Sequence, residues 1–373
     1  MAGSIHKINR PNPWRARYRA ADGRERSKTF RTKTEADRWL RDQLAELDRG
    51  AWVDPKAGAV TFEERASEWL AGLHGVKPKT RHGYDSLLRS RVLPTFGHVQ
   101  LKRITTASVR RWVADMASEG LSPDRIRQAR QVLSAVLDQA ADDGLIAKNP
   151  ADSVKTPPVR PRRQLFLADK ELARLADAAE KRQEGAGAFV WFLGWSGLRW
   201  GEAVALRGAS IDVKRRRVRV TESATEVGGH LEFGTPKTRE ARTVVLPAFV
   251  FDRLAPLLDG LEADALIFTA KKGGPLRASN FRGSVWKPAV IEAGLPADLV
   301  PHDLRDTAAS LMISSGASIK AVQRALGHAT ASMTLDRYAG LFEEDLEALA
   351  DRMEERFAAQ GGHKGAKIVR FPR

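Results

Sequence analysis

Three segments in the second half of the chain carry arginine and histidine side chains in arrangements suited to phosphate binding. Arg199 stands between two glycines in the segment Gly197–Glu202. His302 and Arg305 are three residues apart, which places them on one face of a helix. His328 follows a glycine further along. Guanidinium and imidazole groups bind phosphate oxygens, so this set predicts phosphate chemistry.

One tyrosine stands apart from the others. The chain has only 3 tyrosines, and the context of Tyr338 differs from that of Tyr18 and Tyr84. Tyr338 comes ten residues after His328, near the end of the same half of the chain. Lys237 lies upstream in a basic loop before a candidate strand. Walker loops, zinc-protease motifs, nucleophile elbows and calcium loops are all missing from the sequence, so the familiar hydrolytic classes are disfavoured.

The first sixty residues predict a small sheet followed by a helix. Residues 14–19 alternate between apolar and polar side chains, a turn follows, and residues 27–30 resume an extended pattern, which together indicate a hairpin. Thr32 and Glu35 have the spacing of a capping box at the start of a helix that should end near Gly50. The hairpin carries Arg15, Arg17 and Arg19, which we expect to contact DNA.

Apolar periodicity predicts a helical bundle after this unit. Its four helices should cover residues 62–73, 80–92, 107–117 and 123–141. The last helix has a basic start, where we expect Arg125, Arg127 and Arg130 to bind DNA. Prolines and basic residues at positions 155–163 then indicate an interdomain linker.

The remaining chain predicts a mainly helical domain around a few strands. Helices are expected over residues 169–182 and 190–206, with strands at 217–221, 231–233 and 242–246. An amphipathic helix over residues 341–357 has an apolar face that needs a surface to cover. Residues after Gln360 are glycine-rich and basic, which favours disorder.

Composition and charge point to a polyanionic partner. The formal net charge is +16, and residues 164–350 hold as many acidic as basic residues, so the excess lies mainly in the first 163 residues. A nucleic acid is the usual partner of such a protein. There are 0 cysteines, which excludes disulfides and a cysteine nucleophile and favours the cytoplasm. We expect a protein of the cytoplasm that is not associated with a membrane.

Taken in order, these motifs resemble the tyrosine recombinase family of phage integrases. The family pattern is an arginine box, a hairpin lysine, His-x-x-Arg, Leu-Gly-His and a final tyrosine, and all occur here between residues 165 and 340. Each motif alone is weak, but the ordered set is specific. Asp306 departs from the pattern, because histidine is frequent after the second arginine.

The resemblance implies a role for each matching residue. Tyr338 would attack a strand phosphate and form a 3′-phosphotyrosine, without a metal or another cofactor. Arg199 and Arg305 would clamp the phosphate oxygens, and Lys237 would protonate the leaving 5′-hydroxyl. His302 and His328 would donate hydrogen bonds to the same oxygens or help to move the tyrosine proton.

The resemblance also implies an α+β multidomain fold and a partner set. The expected domains are an arm-type DNA-binding domain of small sheet plus helix (1–57), an all-α core-binding bundle (58–154), a linker (155–164), a mainly helical catalytic domain with a small antiparallel sheet (165–350), and a helix end with a basic tail (351–373). We expect integration of a phage or similar element into double-stranded DNA at attachment sites, by a homotetramer. A host DNA-bending protein and an excisionase would be accessory factors.

Other interpretations stay open at the level of the sequence. A resolvase-type recombinase would share the chemistry, although the first 60 residues would be superfluous in it. A type IB topoisomerase would use the same phosphotyrosine, and a DNA-binding protein that has lost catalysis would need none of the site residues. Each residue also has a purely structural alternative: Arg199 could only pair with Glu202, His328 could end a helix, and Tyr338 could be a core aromatic.

Overall fold

The computed structural model describes residues 3–21, 23–48, 57–159, 162–235, 241–343 and 346–359, with the side chains of 342–349 excepted. The chain divides into two compact units, Met1–Pro161 and Arg162–Arg373. Within the described ranges, no helix combines the length and the apolar composition needed to cross a membrane. The predicted disorder after Gln360 falls outside the described residues.

The first unit begins with a three-stranded antiparallel sheet in the order β1-β2-β3, formed by β1 (Ser4–Lys7), β2 (Trp14–Arg19) and β3 (Glu25–Phe30). Helix α1 (Lys33–Asp48) packs on it. The Thr32 and Glu35 side chains exchange hydrogen bonds of 3.2 Å with each other's backbone N–H groups, which confirms the predicted capping box. The sheet has one strand more than the predicted hairpin, because β1 pairs with the free edge of β2.

A second hydrophobic core in this unit is built mainly from helices. Their bounds are α2 (Phe62–Ala71), α3 (Pro78–Leu87), α4 (Leu93–Phe96), α5 (Thr106–Ser118) and α6 (Pro123–Asp142). A π-helical turn over Leu88–Val92 joins α3 to α4. Thr61 and Ser122 cap α2 and α6 by accepting backbone N–H bonds, so local sequence fixes both starts. The four predicted helices are all present.

The second unit is mainly helical. Its helices are α7 (Asp169–Glu180), α8 (Ala186–Ser196), α9 (Trp200–Val204), α10 (Ala248–Asp252), α11 (Ala255–Leu258), α12 (Ala278–Phe281), α13 (Lys287–Glu292), α14 (Asp303–Ser314), α15 (Ile319–Leu326), α16 (Ala331–Glu343) and α17 (Leu346–Ala359). A π-helical turn over Arg282–Trp286 joins α12 to α13.

Short antiparallel strands complete this unit. They are β4 (Ile211–Asp212), β5 (Arg217–Val220), β6 (Ser223–Val227), β7 (His230–Gly234) and β8 (Arg242–Val245). The sheet order is β4-β5-β8, and β6 and β7 form a separate hairpin. The expected α+β architecture, with a sheet-plus-helix start, a helical bundle and a mainly helical second half, is therefore confirmed.

Two predicted helices differ from the structure. The helix expected over 190–206 is interrupted, because Gly197 adopts a left-handed backbone conformation with φ of 63° and ends α8 before α9 begins. The helix expected over 341–357 is found as α17, while Leu341 belongs to α16. Met353 and Phe357 on α17 are exposed in this chain.

Candidate active site

The turn between α8 and α9 positions Arg199. Gly197 reverses the chain, and Arg199 then directly precedes the first residue of α9. Gly201 lets this turn approach the hairpin, because a Cβ atom there would lie 2.3 Å from the Ala224 carbonyl oxygen. The Arg199 guanidinium donates to Glu202 Oε1 at 2.9 Å and to the Gly327 carbonyl at 3.4 Å.

Glu202 is the carboxylate that this part of the site shares. It is 1 % exposed, and the Arg242 guanidinium donates to both of its oxygens, at 3.0 and 2.6 Å. Burial alone would raise the pKa of Glu202, but the hydrogen bonds and charges of Arg242 and Arg199 outweigh burial and lower this pKa to about 2. Glu202 therefore stays ionised and ties the α9 turn to the start of β8.

Arg305 is held in a different way. Its guanidinium is buried in the first turn of α14 and donates to the carbonyl oxygens of Gly197 and Leu326, both at 2.7 Å. Among the residues that the structure describes, it forms no ion pair. Burial, followed by repulsion from Arg199, lowers the pKa of Arg305 to about 10, so it remains a cation at neutral pH.

Arg199, Arg242 and Arg305 together form what we call the arginine cluster. Arg199 and Arg305 donate to the adjacent carbonyls of Gly327 and Leu326, so both guanidinium groups meet at one turn after α15. Glu202 pairs with Arg199 and Arg242, and within the described part of the site no carboxylate pairs with Arg305. Burying positive charge without a counterion is costly, so the cluster is suited to bind an anion.

The two histidines lie beside this cluster. His328 Nδ1 is 3.0 Å from the hydroxyl of buried Thr334, and the Gln323 amide donates to the His328 carbonyl at 3.0 Å. Burial, followed by the charges of Arg305 and Arg199, lowers the pKa of His328 to about 4. His328 is therefore neutral at pH 7.

His302 directly precedes α14 and does not cap it through its side chain. The residue is exposed to solvent overall, yet desolvation by its packed neighbours is the main cause that lowers its pKa. His302 interacts electrostatically with both Asp306 and Arg305, which places it at the same site.

Tyr338 lies on α16 and is 1 % exposed, packed among Ala309, Ile313, Val322 and Leu326. Its hydroxyl donates to Asp306 Oδ1 at 2.7 Å. The Arg337 guanidinium donates to both Asp306 oxygens, at 2.8 and 2.6 Å. We call Tyr338, Asp306 and Arg337 the tyrosine cluster. Tyr338 is therefore part of a hydrophobic core, as the structural alternative predicts, but its hydroxyl also bonds to a carboxylate.

Lys237 lies outside the described residues, between β7 and β8, so its predicted role stays a prediction. The structure brings Arg199, His302, Arg305, His328 and Tyr338 into one site, through direct bonds or electrostatic interaction. Sequence reasoning missed the parts that Arg242, Asp306 and Arg337 play. The position of Arg242 close after Lys237 could have indicated that Arg242 belongs to the site. The pairing of Asp306 with Arg337 joins two helices, so no short sequence motif indicates it.

The predicted DNA-binding residues of β2 share one exposed face. Arg15, Arg17 and Arg19 alternate with the buried residues Ala16 and Tyr18. Arg15 and Arg17 donate to serine hydroxyls of neighbouring strands at 2.9 Å, which spreads their guanidinium groups across the sheet. This arrangement leaves a basic surface on the side of the sheet away from α1.

Two of the three arginines at the start of α6 already bond to other groups of the chain. Arg127 pairs with Asp124 at 2.5 Å. Arg130 donates to the carbonyl oxygens of Ala151 and Asp152 at 2.6 and 2.9 Å. Arg125 is half-buried. DNA binding by these three residues stays a prediction, and Arg130 has a clear structural role as well.

Comparison with known sequences assigns the chain to a family. The Phage integrase family model matches residues 166–344, and models of the phage integrase N-terminal SAM-like domain and of the phage integrase N-terminal domain match residues 61–117 and 2–49. A putative prophage phiRv2 integrase of Mycobacterium tuberculosis is 31% identical over 346 residues, covering 89% of this chain and 90% of the relative. The chain belongs to the phage integrase family.

Further relatives agree with this family, and solved structures share the fold. The integrase of Mycobacterium phage FRAT1 is 30% identical and covers 86% of this chain and 98% of its own length. The Tn1549 transposon integrase in complex with a circular intermediate DNA has a TM-score of 0.67 at 20% identity, covering 78% of this chain and 99% of that one. A lambda integrase dimer bound to a core site has a TM-score of 0.60 at 19% identity, covering 89% and 93%. As a phage integrase family member, the chain is a tyrosine-type site-specific DNA recombinase.

Proposed function

We propose that this phage integrase inserts a phage or similar mobile element into DNA at attachment sites, through a covalent bond between Tyr338 and a strand phosphate. The observation that carries the proposal is the arginine cluster. Two of its guanidinium groups meet at one turn beside His328, and within the described site Glu202 pairs with Arg199 and Arg242 while Arg305 pairs with no carboxylate. A phosphodiester would supply the missing negative charge.

The clamp would act mainly in the transition state. When a hydroxyl attacks a phosphodiester, negative charge builds up on the equatorial oxygens of phosphorus. Arg199 and Arg305 would bind these oxygens, and both remain charged at neutral pH. To do so, each guanidinium would exchange a carbonyl acceptor for a phosphate oxygen, which is a charge-assisted and stronger bond.

The other predicted residues complete the reaction. The Tyr338 hydroxyl would lose its proton to the His302 imidazole and its oxygen would form a bond to phosphorus, while the bond to the 5′-oxygen breaks and Lys237 gives its proton to that leaving oxygen. His328, neutral at pH 7, would donate one hydrogen bond to a phosphate oxygen from the ring nitrogen that does not face Thr334. His302 would donate a second bond from the start of α14. Reversal of the same steps would rejoin the strands.

The proposed partner is double-stranded DNA in a bacterial cell, at the nucleoid. Strand exchange uses four active sites at one junction, so we propose a homotetramer on DNA. A lambda integrase tetramer bound to a Holliday junction has a similar fold, with a TM-score of 0.59. A host DNA-bending protein and an excisionase would control direction. Residues 1–57, 58–154 and 165–350 would act as arm-binding, core-binding and catalytic domains.

A nicked suicide duplex that carries the element's own flanking attachment sequence tests the chemistry. Strand cleavage would release a short fragment and trap the protein on DNA as a covalent adduct. We expect an adduct with the wild type and none with Tyr338→Phe. The matched control is Tyr84→Phe, since Tyr84 packs against Trp69 in the helical bundle, far from the site in sequence. An adduct with Tyr338→Phe would refute the proposed nucleophile.

Removal of residues 1–55 tests the arm assignment. The shortened protein should still cleave a core site but should fail to integrate an element with its full attachment site. Replacement of Arg15, Arg17 and Arg19 by alanine should weaken the salt dependence of binding to arm DNA. The slope of the logarithm of the binding constant against the logarithm of the salt concentration should become shallower by up to about 0.9 for each lost phosphate contact. Unchanged integration after the deletion would refute the arm assignment.

A further inference from the structure

The tyrosine cluster holds the nucleophile in a closed arrangement. Tyr338 is 1 % exposed, so even a water molecule has almost no access to its side chain. A phosphate group is larger than water, and its phosphorus must reach bonding distance of the tyrosine oxygen. The described arrangement of α14 and α16 therefore has to open before the attack takes place.

The hydrogen bond to Asp306 is the polar contact that must break or rearrange. Asp306 is 1 % exposed, and Arg337 fixes both of its oxygens, so the carboxylate cannot follow the tyrosine outward without losing its ion pair. Hydrogen bonds to charged groups contribute about twice as much as neutral ones. The closed arrangement is therefore held by a fixed, charged acceptor.

We propose that Asp306 is a positioning residue for the nucleophile: in the protein without DNA it holds the Tyr338 hydroxyl inside the unit, and strand cleavage requires this contact to open. The inference rests on the proposed function of Tyr338. The inference assigns a role to a residue at which the chain departs from the family pattern. The contact between Asp306 and Tyr338 would keep the nucleophile from reacting while no DNA is bound.

The charges around the phenol agree with this role. Burial, then the hydrogen bond and charge of Asp306, raise the pKa of Tyr338 above its ordinary value, while Arg337 and Arg305 act in the opposite direction. Asp306 itself faces Arg337, Tyr338 and His302, and it also acts on His328. Burial disfavours the ionised carboxyl, but the bonds from Arg337 and Tyr338 outweigh burial and lower its pKa. A carboxylate next to a neutral phenol is thus the stable pairing.

A protein with Tyr338 as its single tyrosine makes the phenol measurable. Because the chain has only 3 tyrosines, the background Tyr18→Phe with Tyr84→Phe leaves one phenol whose ionisation can be followed by its ultraviolet absorbance. In this background without DNA, we expect ionisation only well above the ordinary tyrosine pKa of about 10. Adding Asp306→Asn should lower the midpoint by roughly one unit, with circular dichroism confirming that the protein stays folded.

Two further variants separate a local contact from general loosening. Arg337→Gln removes a cation that lowers the tyrosine pKa, so it should leave the midpoint as high as in the background or higher. Asp303→Asn alters another buried carboxylate of the same helix, which pairs with Arg162, and it should not move the midpoint. An unchanged midpoint in Asp306→Asn, or an equal drop in all three variants, overturns the proposal.

The suicide duplex distinguishes this inference from the proposed function. At limiting DNA, Asp306→Asn should form the covalent adduct roughly tenfold faster than the wild type, because a charge-assisted bond no longer opposes opening. An adduct that forms tenfold more slowly would show that the carboxylate serves in the chemistry, and it overturns the positioning role while leaving Tyr338 as the nucleophile. If the wild type forms no adduct, the proposed function fails first.

Discussion

The arginine cluster and the tyrosine cluster lie side by side in the second unit and balance their charges in opposite ways. In the tyrosine cluster, Arg337 and Asp306 form a bidentate ion pair that also binds the phenol. In the arginine cluster, Glu202 pairs with Arg199 and Arg242, whereas Arg305 bonds, within the described residues, only to backbone carbonyls. The difference indicates that one cluster is complete by itself, whereas the other is completed by an anion.

The same substitution in each cluster should give opposite results. Arg305→Gln should lower the rate of adduct formation by about 10²- to 10³-fold, as for the loss of one charge-stabilising donor, because the transition state loses half of its clamp. Its free energy of unfolding should change by less than about 2 kcal/mol, since a lost hydrogen bond is offset by removal of a buried charge. Rates come from the suicide duplex and stabilities from urea unfolding.

Arg337→Gln is the counterpart. It leaves a buried carboxylate without its ion pair, so its free energy of unfolding should fall by about 2 kcal/mol or more, although the partly exposed arginine moderates this loss. We expect the rate of adduct formation to fall far less in Arg337→Gln than in Arg305→Gln. If Arg305→Gln destabilised the protein more and slowed cleavage less than Arg337→Gln, the assignment of the two clusters would be reversed.

Sequence reasoning recovered one cluster better than the other. Arg199 and Arg305 were predictable because each lies in a short motif, and the helix starts at Thr61 and Ser122 follow from local capping. Asp306 was visible only as a departure from a pattern. Its bonds to Arg337 and Tyr338 join helices about thirty residues apart in sequence, so no local periodicity encodes them. The break at Gly197 was missed because apolar periodicity continues across it.

Glu202 makes the stability of the arginine cluster depend on pH. Its pKa is lowered from 4.5 to about 2, so its contribution to stability is present above pH 4.5 and is lost as the pH falls from 4.5 towards 2. Glu202→Gln should lower the free energy of unfolding at pH 7 by about 3 kcal/mol, and the gap to the wild type should close across this pH range.

The control for Glu202 is Glu292→Gln, which alters an exposed carboxylate that also contacts two cations, Lys181 and Arg182. Chemical unfolding at a series of pH values measures both variants. We expect a much smaller loss for Glu292→Gln because solvent screens its ion pairs. Equal losses in the two variants would mean that burial does not increase the contribution of Glu202 to the free energy of unfolding.

The smallest expected effect concerns His328. Its pKa of about 4 lies below the ordinary 6.5, so stability from the neutral ring is present above pH 6.5 and is lost as the pH falls through this interval. A bound phosphodiester would offset Arg305 and Arg199, which contribute to this lowering. In Tyr338→Phe protein bound to intact duplex, we therefore expect the pKa to rise by about one unit.

Nuclear magnetic resonance of the histidine rings, assigned with His328→Ala, follows this titration with and without DNA. A pKa that stays the same on DNA binding would argue against an anion in the arginine cluster. A pKa near 6.5 in the free protein would contradict the charge balance described for the site.

In the proposed reaction, the Tyr338 oxygen becomes bonded to the end of a DNA strand beside the arginine cluster. Mass spectrometry of the proteolysed wild-type adduct, after digestion of the DNA, tests it most directly. We expect the peptide with Tyr338 to carry a nucleotide through its 3′-phosphate. A nucleotide attached to any other residue, or attached through a 5′-phosphate, would contradict it.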